Sequence, residues 1–105
     1  MAPLQRRHDG TKKLGGHMET RKVTVKNKSG LHARPANNFV KAATKYKNCN
    51  VYIVKDGNEI NAKSILNVLG ACITTGTEIE ILTVGENEKA CADDLASLVE
   101  SGLGE

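Results

Sequence analysis

The chain has 105 residues, 39% of them hydrophobic, which is enough for one domain with a single modest core. Residues 1–17 contribute all of the formal net charge of +3, because the rest of the chain carries 11 basic and 11 acidic side chains. This balance excludes a generally basic nucleic-acid-binding surface. No apolar run approaches the ~20 residues of a membrane span, and the polar N-terminus does not resemble a signal peptide.

Residues 1–17 show no hydrophobic periodicity and are rich in glycine and charge. The run GGHM at their end resembles a cloning scar before a native start at Met18. We therefore interpret residues 1–17 as an expression tag or a disordered extension, and 18–105 as the domain. Two of the three histidines lie in the first segment, which leaves His32 as the histidine of the domain.

Strand-like and helix-like patterns follow each other along residues 18–105. Polar–apolar alternation predicts strands, and apolar residues spaced three or four apart predict helices. The predicted elements are, in chain order, a strand over 22–26, a helix over 33–45, strands over 51–54 and 59–62, a short helix over 65–69, a strand over 77–84 and a helix over 88–101. One sheet covered on one face by helices is the economical packing for this α+β order.

The three cysteines, Cys49, Cys72 and Cys91, fit neither a metal site nor a disulfide framework. Their number is odd, there is no C-x-x-C motif, and none has a close histidine. We therefore expect no metal ion, and three buried free thiols in a protein of the reducing cytoplasm.

The stretch SGLHARPA carries the main chemical pattern of the chain. It places His32 at the end of a glycine-containing turn, with Arg34 two residues later and Pro35 in the first turn of the predicted helix. The free N–H groups of Ala33, Arg34 and Ala36, together with the helix dipole, favour a phosphoryl group beside the imidazole. Neutral imidazole, the main form at cytoplasmic pH, is nucleophilic. The pattern therefore predicts a histidine that carries phosphate, and an ordinary surface-loop histidine is the alternative.

This stretch resembles the active-site signature of the HPr family, the histidine-containing phosphocarriers of the bacterial phosphotransferase system. A second stretch, NAKSIL, resembles the regulatory-serine segment of HPr proteins from Gram-positive-type bacteria, and the resemblance covers residues 18–105. It implies an open-faced β-sandwich with a four-stranded antiparallel sheet in the order 1-4-2-3 and three helices on one face. It also implies that His32 accepts phosphate from phosphorylated enzyme I and passes it to sugar-specific enzyme IIA domains. Arg34 would stabilise the transferred group, and no cofactor is needed.

Ser64 precedes the short predicted helix and is a good N-cap for it. The resemblance implies that Ser64 is also a site of regulatory phosphorylation. An HPr kinase/phosphorylase and a catabolite-control transcription regulator would then be further partners. A phosphate there would add about two negative charges at a helix N-terminus.

The short helix is more apolar than a surface helix requires. In the family this helix and the histidine loop form the docking face for partners, which assigns partner contacts to Ile65, Leu66 and Leu69. Basic side chains would steer acidic partners toward this face: Lys41 and Lys45 on the first long helix, with Arg34 and Lys63.

Two other function classes remain as alternatives. A regulatory paralogue would act only through Ser64, although the retained His32 and Arg34 argue against it. An enzyme acting on small phosphorylated molecules would need a carboxylate pair, a second histidine or a phosphate loop, and the sequence of 18–105 contains none of these patterns. We therefore expect a stoichiometric carrier in the cytoplasm, monomeric because it must release its partners quickly.

Overall fold

The computed structural model describes residues 18–104. The helices and strands are β1 Met18–Thr24, α1 Ala33–Thr44, β2 Cys49–Lys55, β3 Asn58–Asn61, α2 Ile65–Gly70, β4 Glu78–Gly85 and α3 Glu88–Glu100. The four strands form an antiparallel sheet in the order β1-β4-β2-β3. The predicted α+β fold with three helices and this strand order is confirmed. The interpretation of residues 1–17 lies outside the described part of the chain.

One face of the sheet forms the floor of the core. The register places Val23 beside Ile79 and Ile53 beside Ile81, and these four side chains are at most 5% exposed. Alternate residues of a strand point to the same side, so the apolar residues of three strands meet on one face. Each helix adds a fully buried side chain to the same cluster: Phe39 from α1, Val68 from α2 and Leu95 from α3. None of the helices within residues 18–104 is long and apolar enough to cross a bilayer.

The first strand differs from the prediction at both ends. Sequence alternation predicts a strand over 22–26, whereas β1 spans Met18–Thr24 and pairs with β4 along its whole length. Backbone pairing does not require alternating side chains, so the ladder extends into a segment that has no strand pattern. Val25 is fully buried beyond the end of β1, and its N–H and C=O groups bond to the loop that precedes β4.

The cysteines are not all buried, contrary to the sequence-based expectation. Cys49 at the start of β2 and Cys91 in the first turn of α3 are 1% and 0% exposed. Cys72 is exposed, and the expectation is wrong there. The residue belongs to the turn that ends α2, with a φ of 54° and an N–H group bonded to the carbonyl of Leu69, and so lies outside the packed layers.

We predict that a thiol reagent labels one cysteine rapidly in the native protein and three after denaturation. The thiolate is the reactive form, and burial raises the pKa of Cys49 and raises that of Cys91 to about 12. Mass spectrometry of briefly labelled protein would locate the label on Cys72. The matched control is Cys72→Ser, which should abolish the rapid reaction; a rapid reaction that persists in this variant would show that the buried thiols are accessible.

Candidate functional site

His32 lies at the junction between a turn and α1. It is the N-cap residue of α1, with an extended backbone (φ −136°, ψ 152°) and no capping hydrogen bond from its side chain. The residue is exposed. Its imidazole is therefore accessible to an approaching protein at the positive end of the helix dipole, as the sequence predicts.

The turn before His32 is fixed by two backbone hydrogen bonds. The N–H group of Gly30 donates to the carbonyl of Asn27 at 3.2 Å, and that of Leu31 donates to the carbonyl of Ile73 at 2.9 Å. The side chain of Leu31 is 1% exposed. The residue immediately before the exposed histidine is thus anchored in the core.

Asn27 and Ile73, which support this turn, are not predicted from the sequence as site residues. Asn27 stands in a run rich in turn-forming residues, and its residue type is the one indication that its side chain could bond to the local backbone. Ile73 contributes through its carbonyl group, which every residue has, so its residue type carries no indication of this role.

The first turn of α1 combines an unusual backbone with an exposed charge. Ala33 has a φ of 49°, in the left-handed region that residues other than glycine rarely adopt. Such strained positions cluster at functional sites. Arg34 follows and is exposed, whereas Pro35 is buried within the first turn, as predicted. The guanidinium and the first-turn N–H groups are therefore available at the end of α1 that carries His32.

A surface groove between α1 and α2 brings together five of the predicted site residues. It is lined by Ala33, Arg34 and Lys41 from α1 and by Ile65 and Leu69 from α2. The two α2 side chains are half-buried against the core, and the two basic side chains are exposed. The groove thus has an apolar side on α2 and a basic side on α1.

The remaining residues of the predicted docking face lie outside this groove. Leu66 is the one large hydrophobic side chain among residues 18–104 that remains exposed, at 78%, and it lines a separate depression beside the β2–β3 hairpin. Lys45 is exposed at the C-cap of α1. The ammonium group of Lys63 donates to the carbonyl of Tyr46 at 2.6 Å, so it supports the end of α1 as well as adding positive charge.

Ser64 is the N-cap of α2. Its Oγ accepts a hydrogen bond from the N–H group of Asn67 at 3.3 Å, and the predicted capping role is confirmed. At the opposite end of α2, the ammonium group of Lys55 donates to the carbonyl of Ala71 at 3.2 Å. The six-residue helix is therefore fixed at both ends by side-chain contacts.

The sheet order and the exposed histidine at the start of α1 are those of the HPr type of α+β protein. The family model described as "PTS HPr component phosphorylation site" matches residues 19–101, which is most of the chain. The chain therefore belongs to the HPr family of the phosphotransferase system.

The relatives of the chain include proteins named HPr and proteins named HPr-like. It is 45% identical to the phosphocarrier protein HPr of Streptomyces coelicolor over 89 residues, covering 84% of this chain and 95% of that protein. It is 40% identical to the HPr-like protein Crh of Bacillus subtilis over 83 residues, covering 79% and 96%. Membership of the family therefore does not decide whether this chain is an HPr or an HPr-like protein.

Solved structures of the family superimpose on it. HPr-C-His from Thermoanaerobacter tengcongensis gives a TM-score of 0.79 at 34% identity and covers 83% of this chain and 97% of its own. A structure from the same organism, described as an HPr dimer, gives a TM-score of 0.66 at 36% identity and covers 79% and 94%.

We predict that Gly30→Ala destabilises the protein more than Gly57→Ala does. Both glycines have positive φ (66° and 81°), so either substitution imposes backbone strain of about 1–2 kcal/mol. At Gly57 an added Cβ meets no atom within 4 Å, whereas at Gly30 it would lie 2.5 Å from the carbonyl oxygen of Ile73. Urea unfolding would measure both costs. Equal costs would contradict the close approach of the two loops.

Proposed function

We propose that this protein is a phosphocarrier, which accepts a phosphoryl group from phosphorylated enzyme I on His32 and passes it to sugar-specific enzyme IIA domains. The phosphoryl group originates from phosphoenolpyruvate. The observation that carries this proposal is the exposed His32 at the N-cap of α1, two residues before the exposed Arg34. We place this activity in the cytoplasm, where phosphoenolpyruvate is available.

The proposed chemistry needs one nucleophile and a site for negative charge. The lone pair of a neutral imidazole nitrogen forms the new P–N bond while the bond between phosphorus and the donor breaks, and the ring proton stays on the other nitrogen. Arg34 and the first-turn N–H groups, including those of Ala33 and Arg34, would stabilise the charge on the phosphoryl oxygens. A phosphorylated imidazole keeps a high transfer potential, so the group passes onward and the protein acts as a stoichiometric carrier.

The groove between α1 and α2 supports the proposed docking of partners. Its apolar side, formed by Ile65 and Leu69, lies next to the basic residues of α1. Leu66 adds an exposed apolar side chain on α2. Small apolar patches with a charged rim are typical of transient interfaces, and basic side chains accelerate encounters with acidic partners. Arg34, Lys41 and Lys45 would supply this steering.

We also propose that Ser64 is phosphorylated for regulation, by an HPr kinase/phosphorylase where the host has one. Ser64 is half-buried at the N-cap of α2, two residues from the exposed Leu66. About two added negative charges would be compatible with the helix N-terminus and would change the docking face around Leu66. A catabolite-control transcription regulator would recognise that changed face.

The alternative function is that of a regulator that acts only through Ser64 and carries no phosphate on His32. Ser64, the N-cap of α2, lies near the exposed side chain of Leu66. This arrangement favours the alternative function, since phosphorylation of Ser64 would change a docking surface without any role for the histidine. We expect either protein to act as a monomer. Because several solved relatives are described as dimers, sedimentation analysis at micromolar concentration would test this expectation.

We predict that enzyme I and phosphoenolpyruvate phosphorylate the wild-type protein and do not phosphorylate His32→Ala. The product should be acid-labile, because phosphohistidine hydrolyses in acid and phosphoserine does not, and mass spectrometry would measure the gain of one phosphoryl group. Folding of His32→Ala should be unchanged because the side chain is exposed. A folded wild-type protein that a competent enzyme I fails to label would overturn the carrier function and favour the regulator.

We predict that Ser64→Ala lowers the free energy of unfolding by about 0.5–2 kcal/mol, through loss of the cap of α2. It should also remove any acid-stable phosphorylation by a serine kinase and leave the acid-labile phosphorylation of His32 intact. Chemical denaturation and mass spectrometry would measure the two effects separately. Acid-stable phosphate that remains in Ser64→Ala would assign the regulatory site to another residue.

A further inference from the structure

The peptide group that joins Gly30 to Leu31 is bonded at both of its edges. Its carbonyl accepts a hydrogen bond from Nδ2 of Asn27 at 2.8 Å, and its N–H group donates to the carbonyl of Ile73 at 2.9 Å. A peptide group is planar, so hydrogen bonds on opposite edges fix its rotation. The next residue along the chain is His32.

The side chain of Asn27 is in an environment where this hydrogen bond matters. Asn27 is 6% exposed, and it and Thr83 are the two buried polar residues among residues 18–104. A buried amide is costly unless it is hydrogen-bonded, and the bond it makes is stronger in a low-dielectric interior. The backbone carbonyl of Asn27 also accepts a hydrogen bond from the N–H group of Gly30 at 3.2 Å, so Asn27 holds the turn by its backbone and by its side chain.

The turn has little room to adopt another position. A Cβ added at Gly30 would lie 2.5 Å from the carbonyl oxygen of Ile73 and 2.8 Å from Cα of Thr74, so the two loops are already in close contact. Rotation of the peptide group would break its bond to Ile73 or its bond to Asn27. The direction in which His32 leaves the turn therefore depends on both bonds.

We propose that Asn27 is a positioning residue for phosphoryl transfer. Its side-chain amide holds the Gly30–Leu31 peptide in the orientation that presents His32 to the phosphoryl donor. The residue does not touch the phosphoryl group, and its effect passes through the backbone. This inference rests on the proposed carrier function of His32. Misplacement of a nucleophile by about 1 Å can lower a transfer rate by about a hundredfold, so a looser peptide would slow the reaction in a folded protein.

The test compares Asn27→Ala and Asn27→Asp with a control that removes a similar bond elsewhere. Asn27→Asp keeps the size of the side chain and replaces the donor by an acceptor. The control is Thr83→Val, because Thr83 is buried and its Oγ1 donates to the backbone carbonyl of Glu88 at 2.7 Å, in the half of β4 farther from the histidine turn. All proteins would be assayed at a temperature at which denaturation curves show them fully folded.

Steady-state phosphorylation by enzyme I would separate positioning from docking. We expect kcat of enzyme I to fall at least tenfold with both Asn27 variants as substrates. The KM of enzyme I for the carrier should change less than about twofold, because the docking groove is intact. Thr83→Val should stay within about twofold of the wild type in both parameters. Wild-type kcat in the Asn27 variants, or an equal fall in Thr83→Val, would overturn the positioning role.

A second readout does not depend on phosphoryl transfer. The ratio of the amide hydrogen-exchange rate at Leu31 to the rates of amides in β4 should rise at least tenfold in the Asn27 variants. Thr83→Val should leave this ratio unchanged. An unchanged ratio in the Asn27 variants would overturn the proposal, since the peptide would then be held without the side chain. If enzyme I fails to phosphorylate the wild type, the carrier function is overturned and the positioning role with it, whatever the exchange data show.

Discussion

The anchoring of Leu31 is the constraint on which the candidate site depends. A side chain that meets several proteins in turn must be exposed, and exposed loop residues are ordinarily mobile. Here the neighbour of the exposed His32 is buried, and its N–H group is bonded to the carbonyl of Ile73. The loop before β4 thereby serves as a rigid support for a surface residue. The positive φ of Ala33 is the backbone adjustment that leads from this anchored turn into α1.

The order and type of the helices and strands could be predicted from sequence because each has a local pattern. The apolar stripe of α1 around Phe39 and the alternation in β4 are of this kind. The strand order follows from the resemblance to HPr proteins, since periodicity does not indicate which strands pair. Sequence alternation does not indicate the start of β1, because pairing with β4 extends the strand into residues without alternation. The exposure of Cys72 does not follow from its residue type, because a turn residue and a core residue can share a type.

The site shows the same division between local and distant effects. The positions of His32 before α1 and of Ser64 at the cap of α2 follow from turn and capping chemistry, which acts over three or four residues. The contact of Lys63 with the end of α1 and the support from Ile73 join distant parts of the chain through backbone carbonyls. A carbonyl belongs to every residue type, so a single sequence gives no indication of such contacts.

The sheet order also constrains when the histidine turn can form during protein synthesis. Of the strands within residues 18–104, β1 is made first, and β4 is the only one of them that pairs with it. The residues of β4 leave the ribosome after most of the domain has been made. The carbonyl of Ile73 that fixes Leu31 is also made late. A nascent chain that already displays the HARPA stretch would therefore lack its rigid support, and a truncated product ending before Ile73 would expose the histidine without orienting it. The topology thus couples the competence of the site to completion of the domain.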